Sequence, residues 1–151
     1  MTDRAGWIAV ALALVCAAAG CTHRPPPQIT TVVFDGQSRS ITGGITCTTQ
    51  PDGGLLILAN GKGHDRMRVS LDRAHRLTVL KVSLHVGDWS GYSADPAEMW
   101  ASQADGRYTI NGRMPPNQGE LAAHQFQITT QCLSETPWLP PNPGIANQGG
   151  P

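Results

Sequence analysis

Apolar and polar residues alternate along much of this chain between positions 31 and 132, and the alternation predicts short β-strands. Met67, Val69 and Leu71, for example, alternate with polar neighbours, as in a strand with one face in a core and the other in solvent. Clusters of Gly, Pro, Asp and Asn separate the apolar segments. The predicted strands are 31–34, 40–49, 55–59, 66–72, 77–86, 89–93, 108–114 and 125–132.

The segments between these strands carry specific turn signals. Asp-Gly pairs at 35–36 and 105–106 favour tight hairpin turns. Within 77–86 the alternation changes face in the middle, which predicts a β-bulge or two shorter strands. Residues 94–101 could form a single helical turn, with Asp95 as the cap and Pro96 at the first helical position.

The first 20 residues have the organisation of an export signal. The apolar run at 7–19 is about 13 residues, whereas a membrane-spanning helix needs roughly 20. Ala18, Ala19 and Gly20 are small and directly precede Cys21, so we predict a lipoprotein signal with Cys21 as the acylated first residue of the mature protein. The alternative is a plain secretory signal that is cut after Ala17-Ala18-Ala19.

Charge and cysteine content narrow the class of protein further. The chain has 11 basic and 11 acidic residues, and this neutral balance argues against nucleic acid as a partner. Of the four cysteines, Cys16 leaves with the signal and Cys21 is the predicted acylation site, so Cys47 and Cys132 remain as a pair. In an oxidising compartment they are expected to form a disulfide, and the alternative is a metal or redox pair completed by a histidine.

We therefore predict a mainly β fold. It is a small antiparallel β-sandwich or barrel-like domain with one disulfide and at most one short helix. The predicted organisation is a signal peptide at 1–20, a lipidated and Pro-rich linker at 21–30, the β domain at 31–132 and a disordered Pro/Gly-rich tail at 133–151.

The chemistry-bearing side chains outside the cysteines match no catalytic or metal-binding pattern. The Gly-rich segment 60–65 lacks the Gly-Lys-Ser/Thr of a phosphate loop, and Ser90 lacks the Gly-x-Ser-x-Gly of a hydrolase. We predict no catalytic, cofactor-binding or metal-binding residue, and a protein that is not an enzyme. The candidates considered are His64, Asp65, the histidines His75, His85 and His124, which are expected to be solvent-exposed or in turns, and the carboxylates Asp88, Asp95 and Glu98.

Four segments resemble the mycobacterial lipoprotein antigen family, whose founding member is the nineteen-kilodalton surface antigen. They are Val32-Val33-Phe34-Asp35-Gly36, residues 41–49 around Cys47, residues 105–112, and residues 126–132 ending at Cys132. The resemblance implies acylation at Cys21 and a bridge between Cys47 and Cys132. It also implies attachment to the cell membrane on the extracytoplasmic side, with possible exposure at the wall or surface.

The family resemblance implies partners as well. They are the enzymes that process lipoproteins, the membrane itself through the lipid anchor, and host innate receptors that sense the lipidated terminus. The leading hypothesis is thus a non-enzymatic envelope lipoprotein with a surface-antigen or host-interaction role. The alternative is a carrier for a lipid or another small apolar ligand, held between the sheets.

Overall fold

The computed structural model of the chain describes residues 28–140, which form ten β-strands and one 3-10 turn. The signal, Cys21 and the end of the chain after residue 140 lie outside the described residues. The strands are β1 (Gln28–Phe34), β2 (Gln37–Thr49), β3 (Leu55–Asn60), β4 (Arg66–Asp72), β5 (Thr78–Val86), β6 (Trp89–Ser93), β7 (Met99–Ala104), β8 (Arg107–Met114), β9 (His124–Gln131) and β10 (Thr136–Pro137), and the 3-10 turn is Pro96–Glu98.

Nine of these strands follow one another in the order β6-β5-β4-β3-β2-β1-β9-β8-β7, and each neighbouring pair is antiparallel. The long strand β2 belongs to both halves of this arrangement. Its first part pairs with β1 and its second part, from Gly44 onwards, pairs with β3. The sheet folds over at β2, so that β5 contacts β7 and β6 contacts β8.

Gly43 lies at the corner in β2 where the two halves meet. A Cβ atom there would overlap the backbone carbonyl oxygen of Asn60, at the end of β3, whereas a Cβ on Gly44 would meet nothing within 4 Å. A close approach of two backbones is a position that only glycine tolerates. The corner of the sandwich therefore depends on Gly43.

The turns and the bulge form where the sequence predicts them. Asp35 and Gly36 have φ of 48° and 79°, and Asp105 and Gly106 have φ of 50° and 72°, as the hairpin turns require. In the β4–β5 pair the register shifts, and Leu80 becomes the extra residue of a bulge. The predicted change of face within 77–86 is confirmed.

The core lies between the two halves of the folded sheet and takes one face of almost every strand. Inward residues of both halves are buried, including Val32, Ile57, Val69, Ile110 and Ile128, all at 0 % exposure. The hydroxyls of Thr30 and Thr130 are also buried there, and they bond each other at 2.8 Å. Because each buried hydroxyl has a partner, neither is left unsatisfied in the core.

A disulfide joins the two halves near the start of β1. Cys47 of β2 and Cys132, directly after β9, are bonded across 85 positions of sequence. With an antiparallel, mainly β sandwich and a single short 3-10 turn in residues 28–140, the predicted fold class is confirmed. No helix in the described range has the length and apolarity needed to cross a membrane.

Several strand boundaries differ from the predictions by one to three residues, and three differences bear on the organisation of the domain. Strand β1 begins at Gln28, three residues before the predicted Thr31. The helical turn predicted at 94–101 is confined to Pro96–Glu98, and Met99–Ala104 is a strand instead, because pairing with β8 outweighs the local helical signal.

The third difference concerns the tail, which was predicted to be disordered from Leu133 onwards. Thr136 and Pro137 form β10, which pairs in parallel with the end of β2. The Trp138 amide also donates to the Thr49 carbonyl at 2.8 Å. Composition predicted disorder here, but backbone hydrogen bonds with β2 supply an ordered position for this part of the tail.

Candidate functional site

Strand β1 defines two ends of the domain, the Gln28 end, where the strand begins, and the Asp35 end, where it turns into β2. At the Asp35 end, the His124 ring lies between two carboxylates. Its Nδ1 is 2.6 Å from Oδ2 of Asp35, and its Nε2 is 2.5 Å from Oε2 of Glu120. Only 15 % of the His124 side chain is exposed. Because both ring nitrogens face carboxylate oxygens, both act as donors when the ring carries its second proton.

The carboxylates favour the charged ring. The hydrogen bond with Asp35, and then that with Glu120, raise the pKa of His124 above its ordinary value of 6.5. In turn, the hydrogen bond from His124 lowers the pKa of Asp35 and of Glu120. With both nitrogens engaged, neither is left to accept a proton from a substrate, so the group acts here as an ionic clamp.

An aromatic stack extends from this clamp across the Asp35 end. Phe34 stacks on His124, with ring centroids 4.8 Å apart, and on Trp89, with centroids 5.8 Å apart. The Arg39 guanidinium covers Trp89 at 3.9 Å from the ring centroid and pairs with Asp88. The stack fixes the β1–β2 turn against the β5–β6 turn through cation–π and ring contacts.

The loop between β8 and β9 is tied to the same end. The Asn117 side-chain amide donates to the Ser90 carbonyl at 3.0 Å, and the Asn117 backbone N–H donates to the Glu120 carboxylate at 2.8 Å. A shallow pocket of about 200 Å³ remains between this loop and the stack. Three carboxylates, Asp35, Asp88 and Glu120, line it or lie at its rim, and each is engaged in a hydrogen bond or ion pair.

The other candidate residues have separate structural roles. Asp95 caps the 3-10 turn by accepting from the Ala97 amide at 3.0 Å, and Glu98 lies 3.7 Å from Arg113. Asp65 accepts from the Gly87 amide at 2.7 Å, and residues 61–65 connect β3 with β4. Asp95 and Glu98 line one surface groove, whereas Asp88 pairs with Arg39 at the Asp35 end.

The expectation that His124 is solvent-exposed or lies in a turn is wrong, because only 15 % of its side chain is exposed. It is the first residue of β9, and the partner Asp35 is 89 positions away. A local signal was present in Glu120, which precedes His124 by four positions and contacts it. The contribution of Asp35 follows only from the pairing of β1 with β9, which sequence spacing does not reveal.

At the Gln28 end, side-chain contacts reinforce the disulfide. Glu135 accepts from the two terminal nitrogens of the Arg73 guanidinium, at 2.7 and 3.0 Å, and from the Thr49 hydroxyl at 2.9 Å. The ion pair with Arg73 lowers the pKa of Glu135. These contacts hold the segment after Cys132 against β2. Cys21, the predicted acylation site, lies outside the described residues.

The carrier hypothesis requires an apolar space between the sheets, of roughly 300 Å³ or more for a small molecule. A groove of about 380 Å³ opens on the surface beside the 3-10 turn, where Tyr92, Met114, Pro115 and Ala123 line it. The space between the halves of the sheet is filled by the core side chains described above. A carrier role stays a prediction.

No group of three or more His, Cys, Asp or Glu within the described part of the chain has the geometry to hold a metal ion. Because Cys47 and Cys132 are bonded to each other in this structure, they do not form the alternative metal or redox pair with a histidine. The structure contains the disulfide between Cys47 and Cys132 that the sequence predicts.

Comparison with known families gives one match. Residues 24–132 match the model of a family described as the Mycobacterium 19 kDa lipoprotein antigen. The match spans the β domain and both bridged cysteines, and it begins three positions after Cys21. No curated protein matches the chain.

Proposed function

Because the chain belongs to the Mycobacterium 19 kDa lipoprotein antigen family, we propose that it is a non-enzymatic envelope lipoprotein anchored through Cys21. The mature domain is held on the extracytoplasmic side of the cell membrane and acts in surface or host interactions. The observation that carries this proposal is the family match over residues 24–132, directly downstream of a cysteine placed for acylation.

The energetics of lipid anchoring support attachment by more than one acyl chain. Each buried methylene contributes about 0.8 kcal/mol, and a single chain binds membranes only marginally, whereas two or three chains hold a protein stably. The Cys21 thiol is the group suited to a thioether with a diacylglyceryl donor. The neutral composition of the chain then needs no basic patch to assist the anchor.

The position of β1 supports one orientation of the domain at the membrane. Because β1 begins at Gln28, only six residues separate it from Cys21, and these span at most about 20 Å. The Gln28 end, with the disulfide and β10, is then the membrane-proximal end. The Asp35 end, with the His124 clamp and the aromatic stack, points away from the bilayer.

The disulfide supports an extracytoplasmic location, because bridges of this kind form and persist outside the reducing cytoplasm. Lipoprotein-processing enzymes are the first partners in this proposal, since they act on Cys21. Host innate receptors that sense acylated termini are the second. Three threonines lie in or near the linker. Thr30 and Thr31 belong to β1, and Thr30 is buried at 0 % exposure. Thr22 is therefore the threonine that precedes the domain.

Replacing Cys21 tests the anchor, and Cys16 offers a matched control within the signal. In the native host, wild type and Cys16→Ala should both fractionate with membranes and have the mass of residues 21–151 plus acyl groups. Cys21→Ala should remain unprocessed or be released without acyl mass. Membrane retention of Cys21→Ala with the wild-type mass would refute the proposed anchor.

A further inference from the structure

The outer face of the half-sheet β2-β1-β9-β8-β7 is solvent-facing and dominated by uncharged polar side chains. Antiparallel register aligns these outward residues in rows that cross all five strands. The first row consists of Trp100, Asn111, Gln127, Val33 and Ser38, and the second of Ser102, Thr109, Thr129, Thr31 and Ser40.

These two rows contain no charged side chain. Arg107 and Arg113 lie on β8 beyond the rows, one on each side, and Arg113 is 3.7 Å from Glu98. A phosphorylated ligand or a nucleic acid would need cationic groups at the centre of its site. The central part of this face is therefore suited to a neutral ligand.

A groove of about 360 Å³ lies at the Trp100 end of the first row. Trp100 forms one wall with 61 % of its surface exposed, and Val33 and the amide side chains of Asn111, Gln125 and Gln127 contribute much of the remainder. Arg113, which lies 3.7 Å from Glu98, is the one charged residue that lines the groove, at the side away from the second row. The volume is in the range of small-molecule sites. Because the adjacent residue Met99 is buried in the core, β7 is anchored while its next side chain, Trp100, points to solvent.

We propose that this groove and the adjoining rows bind a neutral oligosaccharide. The indole of Trp100 provides a flat apolar surface for one face of a sugar ring. The amides of Asn111 and Gln127 offer both donors and acceptors, which match sugar hydroxyls that also donate and accept. Neighbouring strands are about 4.8 Å apart, close to the length of one sugar ring, so successive strands can contact successive sugars.

The chemistry of the face favours a sugar over a protein partner. Protein interfaces centre on a cluster of apolar or aromatic anchors surrounded by polar groups. Here a single aromatic side chain stands at one side, and apart from Val33 the other residues of the two rows carry amides or hydroxyls. This binding role goes beyond membrane anchoring and does not depend on the lipid at Cys21.

Calorimetric titration of the full-length mature lipoprotein, in a detergent without a sugar head group, tests the proposal. The probes are linear hexasaccharides of glucose, mannose and galactose. At least one should bind with a Kd below about 1 mM. Trp100→Ala should weaken that binding by about 10-fold or more, and Trp100→Phe should retain most of it.

Trp138 gives a matched control, because it is another exposed tryptophan, at 43 %, but lies on the tail beside β10. Trp138→Ala should bind the hexasaccharide with wild-type affinity. Gln127→Ala should weaken it several-fold, since one of the hydrogen-bonding amides is lost. An unchanged unfolding midpoint for Trp100→Ala separates loss of binding from loss of fold.

Three outcomes would overturn the inference. One is the absence of binding to all three hexasaccharides at about 10 mM, where a Kd below 1 mM would give near-saturation. Another is equal affinity of wild type and Trp100→Ala. The third is a dimer of the free protein that Trp100→Ala dissociates, which would make the face a contact between two copies. Failure of the Cys21 experiment affects none of these readouts.

Discussion

The two adjacent glycines in β2 provide a sensitive test of the sandwich corner. Gly43→Ala and Gly44→Ala add the same methyl group one position apart. At Gly43 the new Cβ would overlap the Asn60 carbonyl oxygen and lie 3.0 Å from the Asn60 carbonyl carbon and 3.2 Å from the Gly61 Cα. At Gly44 it would meet no atom within 4 Å.

The obstructing atoms at Gly43 are all backbone, so no side chain can rotate away to relieve the overlap. Overpacking of this kind costs about 1–3 kcal/mol, and overlap with backbone belongs at the upper end. We therefore expect Gly43→Ala to lower the free energy of unfolding by about 3 kcal/mol. Gly44→Ala should raise it by about 0.5 kcal/mol, because alanine restricts the unfolded chain.

Urea unfolding of the oxidised protein, followed by tryptophan fluorescence, measures both values. A loss of about 3 kcal/mol should leave Gly43→Ala folded in water, since domains of this size typically have about 5–15 kcal/mol of stability. Equal effects of the two substitutions, or a loss below about 1 kcal/mol for Gly43→Ala, would show that the close approach of β2 to Asn60 does not define the corner.

Two other predictions concern the opposite ends of the domain. Replacing Cys47 and Cys132 together by Ala removes a closure of 85 positions and should lower the unfolding free energy by about 4–5 kcal/mol on the chain-entropy estimate; a loss below about 1 kcal/mol in urea unfolding would contradict it. The raised pKa of His124 means that its ion pairs stabilise the fold fully below the unfolded value of 6.5, and that this stabilisation is lost as pH rises through the higher folded pKa. The stability advantage of wild type over His124→Gln should thus fall as the pH rises above about 6.5 in unfolding titrations, and an advantage independent of pH would show that the ring is not held as a cation.

Signals confined to a few consecutive residues predicted the structure well. The Asp-Gly pairs form hairpin turns, and the change of face in β5 produces the bulge at Leu80. Such features depend on local φ preferences and on the two-residue period of a strand. The bridge between Cys47 and Cys132 was predictable for another reason, because the compartment and an even cysteine count constrain it.

Features that depend on pairing between distant strands were not predictable. Met99–Ala104 contains no β-branched residue and follows a helix-start signal, and it is a strand because β8 pairs with it. The ordered position of Thr136–Pro137 likewise depends on the free edge at the end of β2. In each case local composition favoured another state, and a partner from elsewhere in the chain determined the outcome.

The same distinction explains why the sequence predicts the Cys21 anchor but not the proposed sugar-binding face. Cys21 is identified by the residues immediately before it, whereas the row from Trp100 to Ser38 exists only once five strands are in register. Val33 belongs to this row and lies five residues after Gln28 in β1, about 17 Å from the Gln28 end of the domain. The groove is thus separated from the Gln28 end by most of the length of β1. In the proposed orientation, with Cys21 lipidated at the bilayer, the groove is accessible to neutral polysaccharide of the envelope or of a host surface.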